Sequence, residues 1–140
     1  MFGWLKKQKQ YKIKTLGQLG EEFAQQEYKN RGLQIITANF FNRKGKRLGE
    51  VDFIAKDKHR IIFVEVKSRT AGIDKFGKGI ESVNQFKQTK LLKAVKIFLN
   101  QNPKYQVLRP QIDVCLVEFN GVDKIPQSVK IIPNAVEDWS

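Results

Sequence analysis

The chain has 140 residues and a formal net charge of +12 at pH 7, because 26 Lys and Arg residues outnumber 14 Asp and Glu residues. This length favours one domain with a single core and argues against a second domain. One cysteine and one histidine argue against a disulfide framework and a histidine-based zinc site, and no apolar run is long enough for a membrane span. The positive charge predicts a polyanionic partner, with nucleic acid as the first candidate.

Residues 1–14 are predicted to form a basic, flexible arm ahead of one domain that spans residues 15–140. The arm begins Met1-Phe2-Gly3-Trp4-Leu5 and then contains five lysines. Its apolar part is too short for a signal peptide, so we expect a cytoplasmic protein. A short amphipathic contact with a membrane surface is the alternative for this segment, although a frayed basic terminus is the commoner case.

The first element predicted within the domain is a helix over residues 16–30. Leu16, Phe23 and other apolar residues recur there at helical spacing. Gly32 supplies the left-handed residue that commonly ends a helix. Residues 33–38 then predict a first strand.

A β-hairpin is predicted next. Apolar, β-branched and aromatic residues fill positions 50–55 and 61–67, and the polar break Lys56-Asp57-Lys58-His59 separates the two runs. A second helix is predicted over residues 81–100, followed by strands over 111–119 and 129–132. This order of helices and strands indicates an α/β fold with a mixed sheet flanked by helices.

Three charged side chains interrupt the apolar runs of the hairpin. Alternation along a strand places Glu65 and Lys67 on the face that also carries Phe63. Asp52 reaches that face if the turn holds an even number of residues, and the expected pairing sets Asp52 opposite Phe63. An odd turn would place Asp52 on the other face.

Two carboxylates and an ammonium on one face suit a hard divalent cation. Mg²⁺ prefers oxygen ligands and keeps several waters, so Asp52, Glu65 and a substrate phosphate would suffice to hold it. Lys67 would then stabilise charge on the phosphate or position the attacking water. The alternative is an ordinary cross-strand ion pair, worth roughly 0.2 to 1 kcal/mol. The apolar runs favour the site, because such strands are usually covered on both faces.

The hairpin closely resembles that of the bacterial YraN family, small proteins related to the Holliday junction resolvases in the PD-(D/E)XK nuclease superfamily. The resemblance is carried first by Gly49-Glu50-Val51-Asp52-Phe53-Ile54-Ala55 and Phe63-Val64-Glu65-Val66-Lys67-Ser68-Arg69. Further segments resemble other landmarks of the family: Leu16-Gly17-Gln18-Leu19-Gly20-Glu21-Glu22-Phe23-Ala24, Asn39-Phe40, Phe76-Gly77, Lys87-Gln88-x-Lys90, Asp113-Val114 and Asn134-Ala135. Two departures are a longer segment at 42–48 and Gln111, which stands where an arginine commonly precedes the Asp-Val pair.

The resemblance implies a restriction-endonuclease-like core and a nuclease that uses Mg²⁺ or Mn²⁺. It assigns Asp52, Glu65 and Lys67 to catalysis, and Glu21 to the metal site beside the two carboxylates. Glu50 and Gln88 match auxiliary positions. It also implies a homodimer. Basic residues near the site are predicted to contact nucleic acid: Arg43, Lys44, Lys46, Arg47, Arg69, Lys87 and Lys90.

The function expected from these observations is metal-dependent hydrolysis of phosphodiester bonds in DNA, with branched or recombination and repair intermediates as candidate substrates. One alternative is a non-catalytic nucleic-acid-binding protein that retains the fold. Another is an RNA-processing enzyme, although the sequence contains no aromatic RNA-stacking motif.

Overall fold

The computed structural model describes residues 13–38, 51–72 and 85–136. Most of the predicted basic arm, the start of the second predicted helix, and the predicted site residues Arg43, Lys44, Lys46, Arg47 and Glu50 lie outside these ranges.

Within these ranges, two α-helices and five strands follow one another along the chain. They are α1 (Leu16–Asn30), β1 (Gln34–Ala38), β2 (Phe53–Lys56), β3 (Arg60–Thr70), α2 (Gln85–Gln101), β4 (Arg109–Phe119) and β5 (Pro126–Ile132), with a 3-10 turn at Pro103–Tyr105 between α2 and β4. The α/β prediction is confirmed. The predicted strands are present, but β4 begins two residues earlier and β5 three residues earlier than the sequence pattern indicated.

Local chemistry sets both ends of α1. The Thr15 side chain accepts a hydrogen bond from the Gln18 backbone N–H, and the Gln18 side chain accepts one from the Thr15 N–H. This reciprocal capping box satisfies two N–H groups that the first helical turn leaves without partners. Gly32, with φ of +86°, follows the last turn as predicted.

The five strands form one mixed sheet in the order β1-β2-β3-β4-β5. The central pair, β3 and β4, is parallel, and the other three pairs are antiparallel. Because β3 and β4 run the same way, the chain between them must cross from one end of the sheet to the other, and α2 lies within that crossover. The sheet with its flanking helices is consistent with a restriction-endonuclease-like core.

Each helix covers a different face of the sheet. On the α1 face, Ala24 and Tyr28 pack with Phe53, Val64 and other side chains of the sheet. On the α2 face, the buried side chains belong to both layers: Leu91, Ala94, Val95 and Phe98 from α2, and Ile54, Ile61, Phe63, Ile112, Val114 and Leu116 from the strands. Alternate residues of β3 therefore enter different cores, and any charge on the strand interior is buried on one side or the other.

Helix α1 approaches β3 closely at Gly20. A Cβ atom added at Gly20 would overlap the Ser68 hydroxyl oxygen and would lie 3.2 Å from the Ser68 Cβ. The absence of a side chain at this position therefore permits the helix to lie against the strand. No helix in the described ranges is long and apolar enough to cross a membrane.

Candidate active site

The turn between β2 and β3 determines which face the charged residues share. Asp57 Oδ1 accepts hydrogen bonds from the backbone N–H groups of His59 and Arg60, at 2.8 and 2.9 Å. The last paired residues are Lys56 and Ile61, which leaves an even loop. An Asp that bonds backbone groups two and three residues ahead stabilises such a turn.

The observed register differs by two residues from the expected one. Phe53 pairs with Val64, whereas an Asp52 opposite Phe63 would have paired Phe53 with Ile62. The specific pairing was therefore wrong, but a shift of two residues keeps every side chain on its face. The predicted face was right for the paired residues of the hairpin, since Ile54 and Phe63 both enter the α2-side core.

Asp52 and Glu65 are both buried at this face. Asp52 is 6% exposed and Glu65 is 2% exposed. Asp52 lies just before β2, where its N–H donates to the Val64 carbonyl at 2.9 Å. Its Oδ2 accepts a hydrogen bond from the Val66 N–H at 2.7 Å. The Asp52 carboxylate is thus fixed to β3 at the residue that follows Glu65.

Two ammonium groups reach the same oxygen of Glu65. Lys67 Nζ lies 3.1 Å from Glu65 Oε1, and Lys87 Nζ, which comes from α2, lies 3.6 Å from that oxygen. Both lysine side chains are largely shielded from solvent, at 14% and 29% exposure. The screening that weakens surface ion pairs is therefore reduced here.

The pKa of Lys67 is below its ordinary value. Burial is the largest cause, and the neighbouring Lys87 ammonium acts in the same direction, whereas Glu65 favours the charged form. The sequence alone does not determine the direction of this pKa shift. The desolvation and the second ammonium outweigh the carboxylate.

The second oxygen of Glu65 has the character expected of a ligand. Glu65 Oε2 is buried and has no hydrogen-bond partner among the atoms the structure describes. A buried acceptor without a partner is costly, and coordination of a cation would satisfy it. Oxygen donors from two carboxylates fit Mg²⁺ or Mn²⁺.

Glu21 is not brought into a three-ligand cluster. It is half-buried on α1, the helix that covers the opposite face of the sheet from Glu65. Within residues 13–38, 51–72 and 85–136, no group of three or more His, Cys, Asp or Glu residues is arranged to hold a metal ion. The described part of the site offers two carboxylates, and the role of Glu21 stays a prediction.

The remaining predicted residues that the structure describes lie on α2 and β3. Gln88 is half-buried and Lys90 is exposed on α2, and Arg69 donates to the carbonyl of Ser68 at 3.0 Å. Sequence reasoning gave Lys87 a contact with nucleic acid and did not pair it with Glu65. The helical spacing contained the signal, because Lys87 precedes the buried Leu91 by four residues and so points to the same side of α2.

A second buried polar cluster was not predicted. On the α1 face, Asp113 accepts hydrogen bonds from Tyr28 Oη at 2.6 Å, Gln111 Nε2 at 2.8 Å and the Asn134 N–H at 3.2 Å. Burial, together with the Asp113 charge, raises the pKa of Tyr28. The cluster borders a cavity of about 150 Å³ whose wall also includes Arg60. Gln111, which departs from the family pattern, donates its amide to Asp113.

The single thiol fits the expectation of a buried, reduced cysteine. Cys115 is free and fully buried in the α1-side core. Burial raises its pKa to about 12, with smaller contributions from nearby carboxylates. A thiol that stays protonated at neutral pH is a poor nucleophile and a poor metal ligand.

The family model and the individual relatives that match this chain indicate the same family. The model of the uncharacterised protein family UPF0102 matches residues 20–117. The chain is 35% identical over 127 residues to a UPF0102 protein of Clostridium botulinum strain 657, an alignment that covers 91% of this chain and 98% of the relative. A UPF0102 protein of Caldanaerobacter subterraneus is 34% identical over 122 residues, covering 87% and 94%.

A third relative is the UPF0102 protein of Carboxydothermus hydrogenoformans, 35% identical over 105 residues, or 75% of this chain and 83% of the relative. The names of these three relatives state a family and no activity. The family match begins within α1 and ends within β4, so it includes Asp52, Glu65, Lys67 and Lys87.

Proposed function

The chain belongs to the uncharacterised protein family UPF0102, and from this premise and the geometry around Glu65 we propose that it is a metal-dependent nuclease acting on DNA. The observation that carries the proposal is the burial of Asp52 and Glu65 next to the largely shielded Lys67, with one Glu65 oxygen lacking a partner in the described chain. Charges are rarely placed in such a position unless they are paired or functional.

Each residue has a distinct role in the proposed reaction. Asp52 and Glu65 would hold Mg²⁺ or Mn²⁺, with waters and a substrate phosphate as the other ligands. The cation would lower the pKa of a bound water and polarise the phosphate. Lys67 is positioned beside Glu65 to orient that water or to stabilise the charge on the scissile phosphate. Glu21 is proposed as an auxiliary ligand, on the strength of the family resemblance alone.

DNA is the proposed substrate because the chain is strongly basic. A formal charge of +12 favours a polyanion, and the exposed Lys90 and Lys93 lie on the helix that supplies Lys87 to the site. The resemblance to resolvase-like nucleases makes branched DNA the first substrate to try. It also supports a proposed homodimer, which would present two sites to two strands.

The proposal is tested by incubating the protein with labelled four-way junction, flap, single-stranded and duplex DNA in Mn²⁺, Mg²⁺ or EDTA. The Asp52→Asn variant removes one ligand charge, and Asp123→Asn makes the same change in the exposed loop between β4 and β5. We expect cutting that requires the metal, is abolished by Asp52→Asn and is unaffected by Asp123→Asn. Circular dichroism of both variants checks that the fold is retained.

A non-catalytic nucleic-acid-binding protein is the second candidate. It is favoured by one observation, the absence of a third acidic or histidine ligand beside Asp52 and Glu65 in the described ranges. Binding without cutting on every substrate, with equal affinity in metal and EDTA, would replace the nuclease proposal with this one.

A further inference from the structure

Glu65 is neutralised by more positive charge than one ion pair requires. Lys67 and Lys87 both lie within 4 Å of Glu65 Oε1, at 3.1 and 3.6 Å. With Asp52 nearby, the four side chains carry two formal negative and two formal positive charges. Among the residues that the structure describes, these formal charges balance before any cation enters.

A divalent cation bound by Asp52 and Glu65 would leave two excess positive charges in a buried space. Repulsion between like charges is strong where water is excluded, so one ammonium must move away from Glu65. Lys67 is the more constrained of the two: its side chain is 14% exposed, it makes the shorter contact, and it comes from the central strand β3. Lys87 is 29% exposed and belongs to a different element.

We propose that Lys87 is a displaceable counter-ion, which a divalent cation must move away from Glu65 in order to bind. This inference rests on the proposed metal site. Lys87 stabilises the buried carboxylate when the cation is absent and weakens the protein's affinity for the cation, because its charge beside Glu65 Oε1 repels a cation that the same carboxylate would bind through Oε2. Because a phosphate group can receive the displaced ammonium, nucleic acid and cation bind with positive coupling.

The test measures Mn²⁺ binding to the full chain without nucleic acid, from the electron paramagnetic resonance signal of free Mn²⁺. Lys87→Met removes the competing charge while keeping an unbranched side chain. Lys96→Met removes the same charge from an exposed position on the same helix. We expect Lys87→Met to bind Mn²⁺ about 10-fold more tightly than the wild type, because an ammonium no longer has to be displaced. Lys96→Met is expected to stay within about 2-fold.

Lys87→Arg provides a second variant that keeps the charge, and we expect it to bind Mn²⁺ less tightly than Lys87→Met. This order of Mn²⁺ affinities distinguishes removal of the charge from a change in side-chain packing. If Lys87→Met is unstable, Lys87→Gln replaces it in the comparison. Thermal unfolding confirms that each variant is folded at the temperature of the titration.

Unchanged or weaker Mn²⁺ binding in Lys87→Met would overturn the inference, as would an equal gain in Lys96→Met, which would indicate a general charge effect. Asp52→Asn and Glu65→Gln distinguish this failure from that of the proposed function. If both variants bind Mn²⁺ as the wild type does, or if neither the wild type nor any variant binds Mn²⁺, the proposed metal site is absent. The inference about Lys87 then fails together with the proposed function.

Discussion

Glu65 links the chemistry of the site to its packing, because one carboxylate oxygen contacts two lysines and the other has no partner in the described chain. Removing the carboxylate and removing one of the lysines therefore have different consequences. Loss of Glu65 would leave two ammonium groups close together without their shared partner, whereas loss of Lys67 leaves Glu65 still paired with Lys87. Lys67 is therefore the residue whose removal best separates catalysis from folding.

Lys67→Ala is expected to lower the single-turnover cleavage rate by about 10²- to 10⁴-fold, the range typical of a lost proton-transfer or charge-stabilising group. DNA affinity in EDTA should change little, because the side chain is largely buried. Quenched-flow or gel-based cleavage and fluorescence anisotropy measure the two quantities.

Lys29→Ala, at an exposed position on α1, serves as the control for lost positive charge on the surface. If Lys67→Ala cuts at the wild-type rate, the assignment of Lys67 to catalysis is wrong. If Lys67→Ala is unfolded at the assay temperature, Lys67 has a structural role.

At the scale of the elements, the β2–β3 turn affects the site through the register of the two strands. Asp57 receives two backbone N–H groups and the Arg60 guanidinium, and these hydrogen bonds lower the pKa of its carboxyl to about 2, chiefly through the His59 N–H. The turn fixes the register that sets Asp52 and Glu65 on the same face. A turn with one residue more or fewer would move Asp52 to the α1 face.

The depressed pKa of Asp57 predicts a pH-dependent contribution to stability. The carboxylate stabilises the fold above about pH 4, where it is ionised in both states, and this contribution is lost as the pH falls through about 2. Asp57→Ala should lower the free energy of unfolding at pH 7 by about 1 kcal/mol, after allowance for solvent screening of a side chain that is one-third exposed.

Urea unfolding of the wild type and Asp57→Ala at a series of pH values from 7 to 2 measures this difference. It should shrink toward zero at the acid end. Asp57→Asn, which keeps an oxygen acceptor without the charge, should show a smaller loss at pH 7, and its own stability should lack the pH dependence that the Asp57 carboxylate gives the wild type. A constant difference between wild type and Asp57→Ala across the series would contradict the assignment.

The elements also show what sequence patterns can and cannot provide. Helical spacing and Gly32 located α1 to the residue, because those signals are local. The start of β4 was missed because Arg109 and Pro110 lie outside the apolar pattern, and the parallel pairing with β3 supports those residues. The face of the hairpin was predictable from parity alone. Its register was not, because it depends on the hydrogen bonds of Asp57.

The candidate site, like the hairpin register, could be predicted from the sequence only in part. Asp52, Glu65 and Lys67 lie within 16 positions of each other and were predictable from strand alternation. The contact of Lys87 with Glu65 joins residues 22 positions apart and depends on how α2 lies on the sheet. The Asp113 cluster joins Tyr28 to a residue 85 positions away. Contacts of that separation come from tertiary packing, which no local pattern encodes.

At the scale of the whole molecule, charge is the dominant feature outside the core. The excess of Lys and Arg is not concentrated in the described site, where positive and negative formal charges balance. Surface lysines such as Lys90 and Lys93 are therefore proposed to provide the non-specific attraction to DNA, while the buried site acts on the phosphate. These two roles respond differently to salt.

Affinity for duplex DNA in EDTA should fall about 10²-fold between about 50 and about 200 mM salt, as expected when roughly three to four phosphates are neutralised. Replacing Lys90 and Lys93 together by Gln should reduce the slope of log affinity against log salt by about 2, or about 1 for each phosphate that is no longer neutralised. Fluorescence anisotropy titrations measure both quantities.

Lys29→Gln, a change at an exposed position on the opposite helix α1, should leave that slope unaltered. An affinity that does not depend on salt would show that phosphate neutralisation is not the basis of binding.

The Asp113 cluster also has a consequence for the order in which the chain can fold during synthesis. Its carboxylate is buried on a central strand, and its donors come from α1, from β4 itself and from Asn134, which follows β5. A buried carboxylate that lacks its donors destabilises the compact state. A growing chain therefore cannot complete this network until residue 134 has left the ribosome, and the sheet is expected to consolidate only after nearly the whole domain has been made.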